Sequence, residues 1–572
     1  MKTIVKSIAG ILLTVALSLT GTTASMAGSK PVPDLILING KIITVDETFS
    51  IRTGLAVRGD RILAVGNDAA MRALAGPATR VVDLHGRAVI PGLIDNHNHF
   101  IRATEHWANE ARLDGVTSRR QALAILHAKA AALPAEAWVL TLGGWFEDQF
   151  VDQPQGFTRA ELDHATGDHP TFVQSMYDHA FVNSAWLKAM GIPVTRSGGA
   201  GAKISGLGAF VVRDATGRAT GRLNGGFPMI AAAMRRFPPV LEAAQVAGIK
   251  AAMAYYNSLG LTTVYDPGGM GIQDASYARL QKLADAQALT LRIFYTLWGG
   301  MGVDSPRKAA RVVARINANH PFQGDVWYDR IAFGEVYYPR FHWDRIMRAV
   351  HPTPEDVAAA RSILMAAAAG GWPVQTHAVQ PENIDRLFAV MADINRVHPL
   401  RALRWSVTHA DMIGAPQIAR ARDLGVNLQL RSQRVIGGSA AAFKKYGEAV
   451  YHMPPLRLVA DSGITFGLGT DGTKAAQINP FVTLWWATTG KMLNGQVILK
   501  EVLTRQEALI AHTRSNAWMT FQEANLGAIR PGLLADMLVL DRDYLTVPLD
   551  DIKNIRPVAT IVAGQVVYGA LN

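Results

Sequence analysis

The chain has 572 residues, of which 49% are hydrophobic and 18% charged, and it carries a formal net charge of +11. This composition excludes a disordered or fibrous chain, and the length suffices for a large core in one or two domains. Lysine and arginine are scattered rather than gathered into a basic block with interleaved aromatic residues, so we expect no nucleic-acid groove and interpret the charge as a solubilising surface. The chain has no cysteine, which excludes disulfide bonds and a cysteine-linked lipid anchor.

The first 27 residues have the pattern of a secretory signal peptide. Lys2 and Lys6 precede an apolar stretch over about 8–19, and small residues follow up to Ala27. This stretch is shorter than the ~20 residues that a membrane-spanning helix needs. We therefore predict cleavage after Ala27, export to the periplasm or the medium, and no stable membrane insertion of the mature chain.

Two strand-rich segments lie at the two ends of the mature chain. Residues 34–90 contain short runs of Ile, Leu and Val interrupted by Asn39-Gly40, a strong hairpin signal, and by an Arg-Gly-Asp turn at 58–60. The segment 521–572 has the same character, with turns at Pro-Gly, Asp-Arg-Asp and Ala-Gly. We predict that residues 28–92 and 521–572 together form one small composite β-sandwich, because neither end alone has enough strands for a core.

The segment between them, residues 93–520, alternates alanine-rich helical stretches with short apolar runs. Such alternation predicts parallel β/α units, and the runs are about as many as a closed (β/α)8 TIM barrel requires. Residues 145–235 exceed what one unit needs, and we interpret them as an insertion at the barrel mouth, with a glycine-rich loop and a hairpin that turns at 214–217. The predicted helices cover 120–132, 240–258, 355–370, 415–424 and 505–518; the apolar runs cover 88–99, 138–144, 171–176, 261–269, 331–338, 372–378, 404–410, 426–431 and 464–472.

Polar side chains stand at the carboxyl ends of many of these runs. In a TIM barrel those ends converge on the active site, and two histidines at i and i+2 of an extended strand project from the same face. A lone histidine there is more often a core residue or a helix cap, but core packing does not explain the whole set. The set predicts a metal site. Its members are His97, His99, Asp266, Glu335, His377, His409 and Asp471.

These residues lie in motifs that resemble the amidohydrolase superfamily. The motifs are "PGLIDNHNHF" at 91–100, "QTHA" at 375–378, "VTHAD" at 407–411, "LGTDG" at 468–472 and the closing "LGAIRPGLLADMLVLD" at 526–541. More narrowly, the chain resembles amidohydrolase family 3, the YtcJ-like group related to N-substituted formamide deformylases. The runs "GGWFEDQF" at 143–150 and "YDHAFVNSAWL" at 177–187 resemble that group's mouth segments.

The resemblance implies a metal-bearing (β/α)8 barrel with a β-sandwich built from both chain ends. It implies His97 and His99 as ligands after the first strand, His377 and His409 as ligands after the fifth and sixth, and Asp471 as the carboxylate of the eighth. Two-metal relatives usually bridge their ions with a carboxylated lysine at the end of the fourth strand. This sequence offers Glu335 there instead, which can bridge two ions or bind one, so the number of ions stays open.

The candidate residues suit hydrolysis of an amide. A Zn2+-like ion, one or two per chain, would lower the pKa of a bound water to ~7 and polarise the carbonyl, and neutral imidazoles suit it as ligands. Asp471 is the candidate general base, with a helix N-cap as its structural alternative. His179 and Trp145 are candidates for lining the substrate pocket, although a tryptophan in such a chain is as often a packing residue.

Three functions remain compatible with the sequence. The first is a metal-dependent hydrolase acting on a non-peptide carbon–nitrogen bond, of amide type, in a small molecule. The second is a deaminase or cyclic-amide hydrolase of an N-heterocycle, because the same ligands serve both reactions. The third is a non-catalytic metal- or solute-binding barrel, which would have no need of a general base. The sequence leaves the substrate, the metal and the oligomeric state open, a homo-oligomer included.

Overall fold

A computed structural model describes residues 31–195, 206–272 and 274–571. The predicted signal peptide and most of the predicted glycine-rich loop lie outside the described residues. Eight parallel strands form the central sheet, and their spatial order is their chain order. They are Leu93–Asp95, Leu261–Asp266, Arg292–Trp298, Tyr328–Glu335, Val374–Ala378, Ser406–His409, Asn427–Arg431 and Phe466–Gly469, called here the first to eighth barrel strands.

The first and eighth barrel strands meet and close the sheet into a barrel. The Asp95 carboxylate accepts hydrogen bonds from the backbone N–H of Thr470 (3.0 Å) and from its hydroxyl (2.5 Å). Gly469 has no room for a side chain, because a Cβ there would collide with Asn96 and Asp95. The predicted (β/α)8 barrel is therefore confirmed, and the carboxyl ends of its strands surround one site.

Helices follow the strands and cover the outside of the barrel. Several begin with local capping: Thr353 accepts a hydrogen bond from the N–H of Asp356 and precedes Pro354, which suits the first helical turn. The principal helices of this layer are Glu242–Ser258, Asp274–Asp285, Pro306–Asn317, Pro354–Ala369, Pro381–Asn395, Ala415–Leu424, Leu456–Asp461, Pro480–Thr489, Arg505–Ala511 and Arg514–Met519; shorter ones are Phe100–Thr104, Pro339–His342 and Ser439–Tyr446.

Two of the apolar runs predicted as barrel strands belong elsewhere. Runs 138–144 and 171–176 form Val139–Leu142 and Thr171–Ser175, which pair with each other in a separate five-stranded sheet between the first and second barrel strands. They are parallel and joined by the helix Arg159–Thr166, so locally they are indistinguishable from a barrel unit. The other strands of this inserted sheet are His179–Val182, Val211–Arg213 and Ala219–Asn224, and its further helices are Arg119–Ala132, Ser184–Ala189 and Gly226–Met234.

The third barrel strand, Arg292–Trp298, was not among the predicted runs. It ends in a tryptophan, so it lacks the histidine or carboxylate that stands at the carboxyl end of most other barrel strands. The hairpin predicted at 214–217 is confirmed, since Val211–Arg213 pairs antiparallel with Ala219–Asn224.

A second, smaller domain combines both ends of the chain. Its two sheets share a core that contains Leu37 and Leu55 from one sheet and Met537 and Ile561 from the other. The predicted composite β domain is confirmed. The four-stranded sheet has the order Arg61–Gly66, Gly54–Arg58, Leu35–Ile38, Arg80–Asp83; the six-stranded sheet has the order Gln565–Gly569, Pro557–Val562, Met537–Leu540, Ala88–Pro91, Lys41–Ile43, Ile51–Arg52. The helix Asp68–Arg72 packs on this domain.

The hairpin expected at Asn39-Gly40 was wrong. The strands on either side of this turn, Leu35–Ile38 and Lys41–Ile43, lie in different sheets and do not pair. Asn39 adopts the left-handed conformation (φ 51°), so the tight turn that Asn-Gly predicts is present although the paired strands are not. The Arg-Gly-Asp turn does join a paired hairpin, Gly54–Arg58 with Arg61–Gly66. Within the described residues, none of the helices is long and apolar enough to cross a membrane.

Candidate metal centre

Six predicted residues meet at the carboxyl end of the barrel. His97 and His99 follow the first barrel strand, and Glu335 ends the fourth. The other three lie in or directly after the fifth, sixth and eighth strands: His377, His409 and Asp471. All six are buried. Because the strands are parallel and neighbours in the barrel, residues far apart in the chain come within a few ångströms of one another.

Glu335 lies at the centre of this group, and its two carboxylate oxygens face two different sets of histidines. Its Oε1 is 2.8 Å from Nδ1 of His377 and 2.9 Å from Nε2 of His409. Its Oε2 is 3.5 Å from Nε2 of His97. His97, His99 and Glu335 offer ligand atoms within 4.8 Å of one another, and so do Glu335, His377 and His409. The carboxylate is thus placed to be shared between two metal positions.

Asp471 completes the side of the centre that faces the first strand. Its Oδ1 is 3.2 Å from Nε2 of His99 and 3.7 Å from Nε2 of His97. Its backbone N–H donates to the His97 carbonyl (2.9 Å), and the N–H of His99 donates to the Gly472 carbonyl (2.6 Å). Asp471 is left-handed (φ 65°), a conformation that this contact with the first strand holds in place.

Backbone carbonyls orient two of the imidazoles. Nδ1 of His99 lies 2.6 Å from the Gly268 carbonyl, and Nε2 of His377 lies 2.6 Å from the Asp344 carbonyl. A carbonyl can only accept, so these nitrogens carry the protons. In the neutral rings, which are the ligating form, the opposite nitrogens, Nε2 of His99 and Nδ1 of His377, hold the lone pairs that a metal ion takes.

His97 provides the test of whether a metal fits. Its ring is fully buried, and among the described residues neither ring nitrogen has a hydrogen-bond partner. A buried polar atom without a partner is costly. Burial lowers the pKa of His97 and so favours the neutral form of the ring, which is the ligating form. A divalent cation at Nε2 would satisfy the orphaned nitrogen, and the nitrogen and carboxylate donors suit zinc.

Arg431, the last residue of the seventh barrel strand, was not predicted. Its guanidinium is buried beneath the centre, with Nε 3.7 Å from Oδ2 of Asp471. Burial by itself raises the pKa of Asp471, but Arg431 and then His99 outweigh it and lower that pKa. The pKa of Glu335 is likewise held well below its usual range, because His97 and His377 outweigh the effect of burial. Both carboxylates are therefore ionised and ready to ligate or accept a proton.

A cavity of about 290 Å3 opens above the centre. Its floor is formed by His99, Glu335, His377, His409 and Asp471. The inserted sheet contributes Met176, Tyr177, Asp178 and Phe227 to the wall. Trp298, at the end of the third barrel strand, and Trp343, in the loop after the fourth, also line the wall. The lining further includes Asp411 and three arginines, Arg102, Arg345 and Arg434. Arg102 lies three residues after His99, a helical spacing that could have revealed it, whereas Arg345 lies in a loop and carries no sequence signal.

Trp145 and His179 do not line the cavity, although both were predicted to. Trp145 is fully buried, and its indole N–H donates to the Gln174 carbonyl (2.7 Å). His179 is buried against the Glu147 carboxylate. His179 lies in the inserted sheet and Trp145 in the loop after its strand Val139–Leu142, and neighbouring residues of the insertion line the cavity instead. Asp266 also lies outside the ligand group: burial raises its pKa to about 6, and it accepts from the N–H of Ile101 (2.7 Å).

Comparison with known proteins agrees with this architecture. A family model described as "Amidohydrolase family" matches residues 80–568. An N-substituted formamide deformylase from Arthrobacter pascens is 26% identical over 553 residues, covering 94% of this chain and 98% of that protein. A putative amidohydrolase, YtcJ, from Bacillus subtilis is 24% identical, covering 86% and 91%. An uncharacterised metal-dependent hydrolase from Pyrococcus horikoshii has a similar structure, with a TM-score of 0.62 at 19% identity, covering 90% and 99%.

The barrel, the composite β domain and the histidine–carboxylate centre define a metal-dependent hydrolase fold. The chain belongs to the amidohydrolase family, as its motifs predicted. It is a metal-dependent hydrolase that acts on carbon–nitrogen bonds other than peptide bonds.

Proposed function

We propose that this protein hydrolyses an amide-type bond of a small molecule, with zinc as the metal and Asp471 as the general base. The observation that carries the proposal is the sharing of Glu335 between two histidine sets, beside a second carboxylate on the cavity floor. We expect two ions, because each oxygen of Glu335 faces a different set. The deformylase activity named for the Arthrobacter relative, also on an amide-type bond, supports the reaction class.

The residues divide the chemistry between them. When bound, the metal lowers the pKa of a water to ~7 and polarises the amide carbonyl. Asp471 lies on the cavity floor beside His99, where its carboxylate can take a proton from the attacking water and deliver it to the leaving nitrogen. The apolar part of the cavity wall, with Phe227, Trp298 and Trp343, lowers the local polarity and strengthens these charge interactions.

Metal content and hydrolysis measured together test the proposal. Elemental analysis of the purified protein should find one or two equivalents of zinc per chain, and a chelator should abolish amine release from a panel of N-acyl amines. His97→Ala should lose metal and activity, whereas His452→Ala, at an exposed histidine paired with Glu501, should lose neither. Well under one equivalent of metal in active protein would contradict the proposal.

The same panel separates the alternative functions. Ammonia release from N-heterocycles without hydrolysis of open-chain amides would indicate a deaminase or a cyclic-amide hydrolase. Tight metal binding without turnover of any compound would indicate a non-catalytic barrel.

We also propose that the mature protein is exported. The support is the arrangement of Lys2, Lys6, the apolar stretch 8–19 and the small residues before Gly28. Amino-terminal sequencing of protein from the periplasm or the medium should begin at Gly28, and a cytoplasmic protein that retains residues 1–27 would refute export.

A further inference from the structure

The cavity above the centre is lined by three arginines as well as four carboxylates, those of Asp178, Glu335, Asp411 and Asp471. Arg102, Arg345 and Arg434 line it. None of the three has a carboxylate oxygen within 4.0 Å among the residues that the structure describes, although other half-buried arginines of this protein do. Buried or half-buried cations without an anionic partner are costly, so a cavity that retains them is suited to an anionic ligand.

Two of these arginines are occupied by other contacts. Arg102 donates to the Tyr177 hydroxyl (2.8 Å) and lies against Gly269. Arg434 donates to the carbonyls of Val450 and Met453 and to the Ser439 hydroxyl. Their hydrogen bonds hold loops of the cavity wall together, which is a structural role.

Arg345 differs from them. Its side chain donates no hydrogen bond to any described residue, and it is only half-exposed. Its guanidinium carbon lies 4.8 Å from the centre of the Phe227 ring and 5.3 Å from that of Trp343. Such contacts hold the planar group by its faces and leave its N–H donors free at the edge. Burial lowers the pKa of Arg345, consistent with a cation that lacks a partner.

The position of Arg345 is tied to the metal centre. The preceding residue, Asp344, accepts from Nε2 of His377 through its carbonyl (2.6 Å). The Asp344 carboxylate accepts from the backbone N–H groups of Val379 (2.9 Å) and Gln380 (2.7 Å). The loop that carries Arg345 is thus fixed to the strand that carries a metal ligand, so an anion on Arg345 would be held at a set distance from the reacting amide.

We propose that the substrate carries a carboxylate, and that Arg345 binds it while the amide lies at the metal centre. The inference rests on the proposed amide hydrolysis and adds its substrate class, an N-acyl compound with an acidic group and an apolar or aromatic remainder. The remainder would pack on Phe227, Trp298 and Trp343. A carboxylate matches the two-pronged donor edge of a guanidinium, and the net charge of +11 favours encounter with anions. The charges that act on Arg345 are those of the neighbouring Arg348, the exposed Asp178 and Asp471 on the cavity floor.

A matched pair of amides tests the proposal. N-acetyl-2-phenylglycine, as either enantiomer, and N-acetylbenzylamine share the same amide and ring and differ in the carboxylate. The holoenzyme should show a kcat/KM roughly 10- to 100-fold higher for the acid, the scale of a hydrogen-bonded charge pair. Arg345→Met and, should it fold poorly, Arg345→Gln should remove that preference, so that the ratio of the two kcat/KM values falls to about 1. Arg348→Met is the control, because Arg348 contacts the same Trp343 ring without lining the cavity.

A binding measurement separates this inference from the proposed function. Calorimetric titration of phenylacetate, which has the ring and the carboxylate but no amide to hydrolyse, into the holoenzyme should give binding that Arg345→Met weakens at least 10-fold and Arg348→Met retains. Equal hydrolysis of both amides, with binding unaffected by Arg345→Met, would overturn the carboxylate inference and leave amide hydrolysis standing. Arg345-dependent binding without hydrolysis of either amide would refute the proposed function and retain the anion site.

Discussion

Asp471 is placed so that its carboxylate could bind the metal or accept a proton from the attacking water. Its carboxylate lies 3.2 Å from Nε2 of His99, and its main chain is fixed by the hydrogen bond to the His97 carbonyl. The local alternative, a helix N-cap, does not apply, because the next helix begins at Pro480 and is capped by Asn479. The residue is therefore free for chemistry at the centre.

The first prediction concerns this carboxylate. Asp471→Asn should lower kcat by ~10^2-fold or more, the usual effect of losing acid–base help, while metal occupancy persists because the histidines and Glu335 remain. Metal content and kcat are measured on one preparation. Loss of the metal, with partial recovery on adding zinc, would make Asp471 chiefly a ligand; full occupancy with near wild-type kcat would remove it from the mechanism.

The second prediction concerns the arginine beneath it. Arg431 lowers the pKa of Asp471, so Arg431→Met should raise that pKa and move the acid limb of the kcat/KM profile to higher pH. The sign follows because an acid with a raised pKa stays protonated, and inactive as a base, over a wider acidic range. Arg431→Lys keeps the charge and should leave the limb near its original position. An acid limb that is unchanged in Arg431→Met would show that Asp471 does not set it.

At the scale of elements, the inserted sheet holds the loop that carries Asp471. The N–H of Gly144 donates to the Lys474 carbonyl (3.0 Å), and the Asp114 carboxylate accepts from the N–H of Ile478 (3.2 Å). Lys474 belongs to the loop that carries Asp471, and its buried ammonium donates to the carboxylate of the distant Glu110 (2.7 Å). The insertion therefore does more than form a cavity wall, since it fixes the backbone of a catalytic loop.

The third prediction tests this support. Gly143 has φ 94°, and a Cβ there would collide with the Lys474 carbonyl, so Gly143→Ala should displace the loop and lower kcat by about 10- to 100-fold. Gly115→Ala is the matched control, because Gly115 also has a positive φ (69°) but open space around its Cβ position. Both variants should lose about 1–3 kcal/mol of stability through backbone strain. Equal kcat in both variants would mean that the contact with Lys474 does not position Asp471.

At the scale of the whole molecule, one buried ion pair joins the barrel to the composite domain. Arg292 begins the third barrel strand, and its guanidinium forms two hydrogen bonds to the Asp536 carboxylate, at 2.8 and 2.9 Å. Asp536 also accepts from the N–H of Ala563 (2.8 Å). Both side chains are almost completely buried, so neither charge has water as an alternative partner.

The fourth prediction follows from that burial. Arg292→Met should lower the free energy of unfolding by about 3–5 kcal/mol, because it leaves the Asp536 charge buried and unpaired. Urea unfolding followed by tryptophan fluorescence measures the loss. The double variant Arg292→Met/Asp536→Asn should recover part of it, since the amide removes the charge and keeps an acceptor for Ala563. A double variant less stable than Arg292→Met would contradict the charge-burial explanation.

The sequence by itself predicted the six side chains that meet at the metal centre, although it added Asp266, and it predicted that both chain ends build one domain. It did so because parallel strands place their carboxyl ends at one edge, so His97, Glu335 and His409 needed only their strand-end positions to be predicted. The alternating apolar runs of the two ends likewise needed partners that neither end could supply alone.

Only the tertiary structure decided which strands pair and what surrounds the centre. Val139–Leu142 has the composition of a barrel strand, but it pairs with Thr171–Ser175 in the inserted sheet and not with a barrel strand. Arg431 and Arg345 carry no local signal either. Arg431 lies next to the Asp471 carboxylate, 40 residues away in the chain. Arg345 lines a cavity that residues of the insertion also line. Sequence periodicity specifies which face of a strand or helix is buried, whereas the neighbour on that face is set by the packing of distant segments.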